Sequence, residues 1–328
     1  MRSLSNIDAS SIQDAVASAQ RASREGQTIA FSGGGTDLLQ QIKDGTVEVD
    51  VIINLRTVEG YRQVSTGNAE TVIGGLITLD ELSDNGVIND NFAVLAQAAA
   101  SVGTPQIRNV ATLAGNVTQR PWCWYYRNGF QCFKAGGNQC FSVVGENQQH
   151  AIFGGGPSFI VHPSDVAPAL MALNASFEVV GPDGERSLSA DDFFVMPSQN
   201  PQRENSLAEL ELLSAVRIPA LNANTVSHYN KITDRESWTH AEVSVAAVLE
   251  KDGDRVRRAS IVLGGVATIP WRLGDVENLL AGKQITESLA REAGVLAIAN
   301  AQALSKNGHK LPMTSAAVER TLLALVNA

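Results

Sequence analysis

Cysteine is scarce in this chain, basic residues are outnumbered by acidic ones, and no apolar run approaches the length of a bilayer. Each scarcity excludes something. Three cysteines, an odd number, do not suit a closed disulfide framework, and a reducing compartment would oppose disulfides in any case. Lys and Arg total 25 against 34 Asp and Glu, a net charge of −9, so nucleic acid is not an expected partner. A spanning helix needs roughly 20 apolar residues in a row. None occurs, and direct membrane insertion is not expected. The first residues carry one arginine but no apolar core of an export signal, because Asp8, Gln13 and Asp14 interrupt it. A cytoplasmic location is expected, with the periplasm reachable only by co-export with a partner. Neither a Ser-His-Asp order nor an HExxH spacing appears, so hydrolase chemistry has no visible support.

What is present is ample apolar material, 44% of 328 residues, enough for two or three domains. Ile12, Ala15, Val16 and Ala19 recur at helical spacing before Gly26, and residues 28–31 form a short β-prone run. Strands are expected at 49–55, 71–74, 159–162, 176–180 and 210–218, and a hairpin at 243–266 about the turn Asp252-Gly253-Asp254. Helices are expected at 38–43, 79–82, 92–102, 166–173, 276–280, 287–304 and 315–326. After Pro219 the chain begins a new pattern, which sets the expected boundary: residues 1–220, then 221–328. Between residues 122 and 156 aromatics, glycines and polar residues crowd without period, the texture of an inserted loop.

Two segments are poor in side chains. The first, Ser32-Gly33-Gly34-Gly35-Thr36-Asp37, follows a β-prone run; its glycines can take positive φ and turn several N–H groups towards one point, a concavity suited to a diphosphate. It is neither GxGxxG nor a Walker loop, and alone it reads equally as a strand-to-helix turn. The second, Ala111-Thr112-Leu113-Ala114-Gly115-Asn116, permits close backbone approach, although a tight turn between packed elements reads the same way. Together they could close on one ligand.

Five ordered stretches resemble the FAD-binding medium subunits of the xanthine dehydrogenase or molybdenum hydroxylase family. They are Phe31-Ser32-Gly33-Gly34-Gly35-Thr36-Asp37-Leu38, Ile73-Gly74-Gly75-Leu76-Ile77-Thr78-Leu79, residues 106–116, residues 162–170 and residues 263–272. The resemblance implies an α+β chain: a two-lobed FAD-binding domain of the PCMH or CO dehydrogenase flavoprotein type, then a smaller α+β domain. It implies that residues 32–37 hold the pyrophosphate and that Thr112, Ala114, Gly115 and Asn116 line the other side. Phe31, Leu76, Thr104, Ile107 and Ala111 are further implied contacts. Ser164 and Asp165 are placed near the ribityl or adenosine part, and Lys231 near the isoalloxazine, where a solvated lysine is the rival reading.

The three cysteines, Cys123, Cys132 and Cys140, lie in an insert at about residues 120–157 that resembles aldehyde oxidoreductase flavin subunits binding a [4Fe-4S] cluster. Iron is normally held by four thiolates. Where those relatives have a fourth cysteine this chain has Ser158, in Gly154-Gly155-Gly156-Pro157-Ser158. The alternatives are a cluster completed by Ser158 or an exogenous ligand, a three-iron cluster, a zinc ion with His150 as fourth ligand, or three free thiols.

The function that the resemblance implies is that of an oxidoreductase subunit: FAD receives electrons from iron–sulfur clusters and passes them to an external acceptor. The expected partners are a large molybdenum-cofactor subunit and a small [2Fe-2S] subunit. The rival readings are a self-contained flavoprotein oxidase or dehydrogenase and a flavin-free scaffold.

Overall fold

The computed structural model describes residues 3–326; Met1 and Arg2, part of the segment read for an export signal, lie outside them. β1 (Ser5–Asp8) leads into α1 (Ile12–Arg24), whose Ile12, Ala15, Val16, Ala19 and Ala22 form one buried face. Ser11 caps this helix by accepting from the Asp14 N–H at 3.0 Å. With β2 (Ile29–Ser32), α2 (Leu38–Asp44) and β3 (Val51–Asn54) the chain completes a parallel sheet in the order β1-β3-β2. Val51, Ile53, Leu55 and Leu76 close a small core against α1. Ser32 is the last residue of β2 in register with β3, opposite Asn54, so the glycine loop begins where the sheet ends.

The second lobe opens with β4 (Val64–Thr66) and β5 (Glu70–Gly74), then α3 (Leu79–Asp84), α4 (Gly86–Asn91), α5 (Ala93–Ala100), α6 (Pro105–Arg108) and α7 (Leu113–Val117). The insert holds α8 (Trp124–Arg127) and two 3₁₀ turns, Phe133–Ala135 and Phe141–Val143. After it come α9 (Val166–Ala172), β6 (Ser176–Gly181), β7 (Gly184–Ser189), α10 (Ala190–Phe193) and β8 (Leu212–Pro219). The strands form an antiparallel sheet, β4-β5-β8-β6-β7. Its core gathers Ile73, Leu79, Leu95, Leu170, Phe177, Phe193 and Val216 from sheet and helices.

The third unit is a four-stranded antiparallel sheet, β12-β11-β10-β9, from β9 (Thr225–Ile232), β10 (Val243–Asp252), β11 (Arg255–Gly264) and β12 (Trp271–Arg272). Strand alternation divides β10 between two cores. Val243, Val245, Ala247 and Leu249 pack with α11 (Gly274–Leu280), α12 (Glu287–Ala297) and α13 (Lys310–Ala324), while Ala246 and Val248 join the second-lobe core. No helix among the described residues is long and apolar enough to cross a membrane.

Three expectations are corrected. Residues 159–162 form no strand; they make only single backbone bonds, Ala151 N to Phe159 O and His162 N to Ala267 O. The helix expected at 287–304 ends at Ala297, and the Asn307 carboxamide captures the Leu304 N–H at 2.6 Å. The last helix starts at Lys310 rather than 315, since Pro312 falls in its first turn, where a missing N–H costs nothing.

Candidate functional site

The second loop is held from behind by the segment after β5. Leu113 N donates to Ile77 O and Leu79 N to Ala111 O, both at 2.9 Å, and Ala114 N donates to Gly75 O at 2.9 Å. Thr78 anchors that segment through a capping box with Glu81, their reciprocal bonds measuring 2.8 and 3.2 Å. The first loop then packs onto the second. A Cβ added to Gly33 would lie 2.7 Å from the Thr112 hydroxyl oxygen, and one on Gly34 only 1.9 Å from the Val110 carbonyl oxygen. Gly35 sits at φ +71°, in the left-handed region.

The two loops border a cleft of about 460 Å³. Phe31, Ser32, Gly33, Gly34, Gly35, Thr36 and Asp37 line one side, and Ile107, Ala111, Thr112, Gly115 and Asn116 the other. Among the described residues, no intrachain hydrogen bond occupies the main-chain N–H groups of Gly33, Gly34, Gly35 or Thr36. Such unpaired donors beside a cavity suit an anionic ligand. Asn116 is buried, and its carbonyl oxygen accepts from the Ser164 hydroxyl at 2.6 Å, which leaves its amide donors for the cleft.

Asp165 lines the cleft and is fixed from two sides. Tyr229 Oη donates to Oδ1 and Lys231 Nζ to Oδ2, each at 2.8 Å. Burial pushes the Tyr229 phenol well above its usual range, and the neighbouring Asp165 charge adds to this. Beyond Asp165 a second cavity, also about 460 Å³, shares Trp122, Pro163, Trp238, Thr239 and His240 with the first. The two cavities therefore adjoin, and the pair is termed the channel. The Trp122 and His240 rings lie 5.5 Å apart between centroids, tilted by 38°, and burial pushes the His240 imidazole down.

Not every expected residue reaches the channel. Leu76 is buried in the first-lobe core, and Thr104 caps α6 by accepting from Ile107 N at 3.3 Å. Ala114 packs behind the loop on Gly75. Lys231 is not a solvated lysine: its side chain is buried and its ammonium is committed to Asp165 and Ser101 O. Ser164 lines the second cavity. Arg235, Trp238, Thr239 and His240 were not expected; they lie on the β9–β10 connection, where no motif marks them.

The iron–sulfur expectation is not carried by the geometry. The three thiols share a neighbourhood, but among the described residues no group of three or more His, Cys, Asp or Glu side chains is arranged to hold a metal ion. Cys123 Sγ faces His150 Nε2 at 3.3 Å, and Cys140 Sγ faces the Ser142 hydroxyl at 3.1 Å. Burial pushes the Cys123 thiol up to about 11 and the His150 imidazole down to about 4. Cys132 and Ser158 are buried apart from any such set, Ser158 beside the cis Gly156–Pro157 bond. For the zinc alternative, a Cys–His pair is assembled among the described residues, short of the four donors that zinc takes.

The insert is nonetheless tied to the cleft. Arg127 Nη2 donates to Asp37 Oδ1 at 2.6 Å, and Arg120 N donates to Oδ2 at 2.9 Å. The Arg127 guanidinium also lies 4.3 Å from the Trp122 ring centroid. Further back, buried Glu204 pairs with Arg120 at 3.2 Å and Lys134 at 2.5 Å.

Comparison with known proteins agrees with this architecture. The family model described as the FAD binding domain in molybdopterin dehydrogenase matches residues 2–221, and that of the CO dehydrogenase flavoprotein C-terminal domain matches residues 228–312. The aldehyde oxidoreductase FAD-binding subunit PaoB of Escherichia coli is 35% identical over 251 residues, 74% of this chain and 76% of that one. The carbon monoxide dehydrogenase medium chain of Hydrogenophaga pseudoflava is 25% identical over 275 residues, 84% of this chain and 79% of that one. Among solved structures, carbon monoxide dehydrogenase from Hydrogenophaga pseudoflava shares the fold with TM-score 0.77 at 23% identity, covering 99% of this chain and 97% of that one. Quinoline 2-oxidoreductase from Pseudomonas putida 86 does so with TM-score 0.75 at 20% identity, covering 99% and 98%. The chain belongs to the family of FAD-binding medium subunits of the molybdenum hydroxylases.

Proposed function

We propose that the cleft holds FAD and that the chain relays electrons inside a molybdenum hydroxylase, from the iron–sulfur clusters of a small partner subunit to an external acceptor. One observation carries this reading: Gly33 and Gly34 pack directly on Thr112 and Val110, and the joined loops border a cleft to which the first offers unpaired amides. Two distant segments, both nearly devoid of side chains, are what a diphosphate between two lobes requires. FAD, when bound, supplies the two-electron chemistry.

The chain's own residues would bind and orient it. The amides of Gly33–Thr36 and the Asn116 carboxamide face the diphosphate, and Phe31 and Ile107 give apolar contact. Asp165, locked by Tyr229 and Lys231, presents a fixed carboxylate where the two cavities adjoin, and Trp122, Trp238 and His240 line both of them. No side chain is assigned as acid or base. A large molybdenum-cofactor subunit and a small [2Fe-2S] subunit complete the unit; the description of relatives as a FAD-binding subunit and a medium chain supports this.

Anaerobic reduction tests the reading. Flavin absorbance in the complete complex is expected to bleach on addition of an aldehyde or N-heterocycle that the complex oxidises. The isolated chain loaded with FAD is expected to keep its absorbance under the same treatment. Bleaching of the isolated chain would instead make it a self-contained flavoprotein dehydrogenase. A chain that stays colourless after FAD addition would make it a scaffold.

A further inference from the structure

We propose that Arg127, in the cysteine-bearing insert, is a positioning residue for the cofactor: it neutralises Asp37, so that the glycine loop can accept a diphosphate. The proposal rests on the reading of the cleft as the FAD site. Asp37 lies directly after the free amides of Gly33 to Thr36 and lines the same cleft. A carboxylate there would oppose a doubly charged diphosphate, and partial burial would strengthen the repulsion.

The structure turns that charge aside. Asp37 heads α2 but makes no side-chain cap; instead Oδ1 accepts from Arg127 Nη2, and Oδ2 accepts from Arg120 N and from Gln41 Nε2, the latter two at 2.9 Å. The guanidinium is itself held in place. Its Nε donates to Pro121 O at 2.9 Å, Nη2 also donates to Arg120 O at 3.0 Å, and its face covers Trp122, which lines the cleft. The arginine side chain is only 6% exposed, so the pair is shielded from salt and solvent.

The insert adds more positive charge than it cancels. Arg120, Arg127 and Lys134 face two carboxylates, Asp37 and Glu204, which leaves one cation in excess behind the glycine loop. The insert thus serves the cofactor through its cations, which screen a badly placed acid.

FAD affinity of the full chain, freed of flavin and titrated by quenching of FAD fluorescence, decides the matter. Asp37→Asn removes the charge at nearly constant shape, although it turns one of two acceptors into a donor; it is expected to bind FAD at least as tightly as the unaltered chain. Arg127→Ala is expected to bind about tenfold more weakly or worse, since it leaves a shielded carboxylate uncompensated. Adding Asp37→Asn to Arg127→Ala is expected to restore most of that loss. An unchanged Arg127→Ala, an Asp37→Asn that is itself weakened, or a double variant no better than Arg127→Ala overturns the proposal, because the pair would then be only a structural tie. Should Arg127→Ala fail to fold, the sign of the Asp37→Asn effect still decides. If the unaltered chain binds no FAD, the cleft reading falls and this proposal with it, whereas a failed rescue with intact binding sinks this proposal alone.

Discussion

Gly34 and Val110 stand so close that a methyl group on Gly34 would lie 1.9 Å from the Val110 carbonyl oxygen. Backbone, not a movable side chain, occupies the space, so one loop must withdraw if Gly34 gains a Cβ. Gly34→Ala is therefore expected to abolish stoichiometric FAD. A matched Gly45→Ala is strained by its left-handed φ, has open space around it and is expected to retain flavin. The ratio of flavin to protein after purification in excess FAD reads the difference.

Ser164 and Asn116 join the two halves of the second lobe through a 2.6 Å hydrogen bond, and Ser164 Oγ also accepts from Ala167 N at 3.0 Å. Ser164→Ala leaves a buried carbonyl and a buried N–H without a partner. The expected cost is about 1–3 kcal/mol of stability, read as a lower urea midpoint at unchanged slope. FAD is expected to bind more weakly too, because the Asn116 carboxamide loses its orientation.

Lys231 and Asp165 form a buried pair, their side chains 8% and 6% exposed. Lys231→Met strands the carboxylate, and about 3–5 kcal/mol of stability is expected to go. Lys231→Met with Asp165→Asn removes both charges and is expected to recover a large part of it. Denaturant unfolding of the two variants checks this; a double variant less stable than the single one contradicts the pairing.

Burial, with the Lys134 charge adding to it, pushes the His162 imidazole from 6.5 down to about 3. Between those values the unfolded chain binds a proton that the folded chain refuses. Stability is therefore complete above pH 6.5 and falls as the pH drops towards 3, by about 1.4 kcal/mol per pH unit for this one group. His150, pushed from 6.5 to about 4, acts in the same direction. His162→Gln is expected to lessen the slope between pH 6.5 and 4 by about 1.4 kcal/mol per pH unit, the share of one histidine, while His150, His228 and His240, also lowered by burial, keep theirs, as followed by urea titrations at stepped pH.

Legibility followed the physical constraint. The glycine loop and its partner were readable because a left-handed turn and a close backbone approach restrict residue type, as Gly33, Gly34 and Gly35 show. β10 was readable because both its faces are buried, which demands a continuous apolar run. β9 was not, since Ser227, His228, Asn230 and Lys231 break any alternation. Lys231 reads as a surface lysine until the fold brings Asp165 to it from 66 residues away. Trp238 and His240 reach the channel from a loop without motif, and nothing local marks them. The cysteines mark another limit: three thiols in one segment suggest a metal by residue type, but type does not fix convergence, and Cys123 faces His150 at 3.3 Å. Arg127, which carries no motif, turned out to be the link between that segment and the glycine loop.

A crystal structure of the FAD-loaded chain tests the central claim most directly. The account predicts the diphosphate between the amides of Gly33–Thr36 and the segment Thr112–Asn116, with the flavin extended along the channel past Asp165. Density for the diphosphate anywhere else, away from the free amides of Gly33–Thr36 and from Asn116, would contradict it.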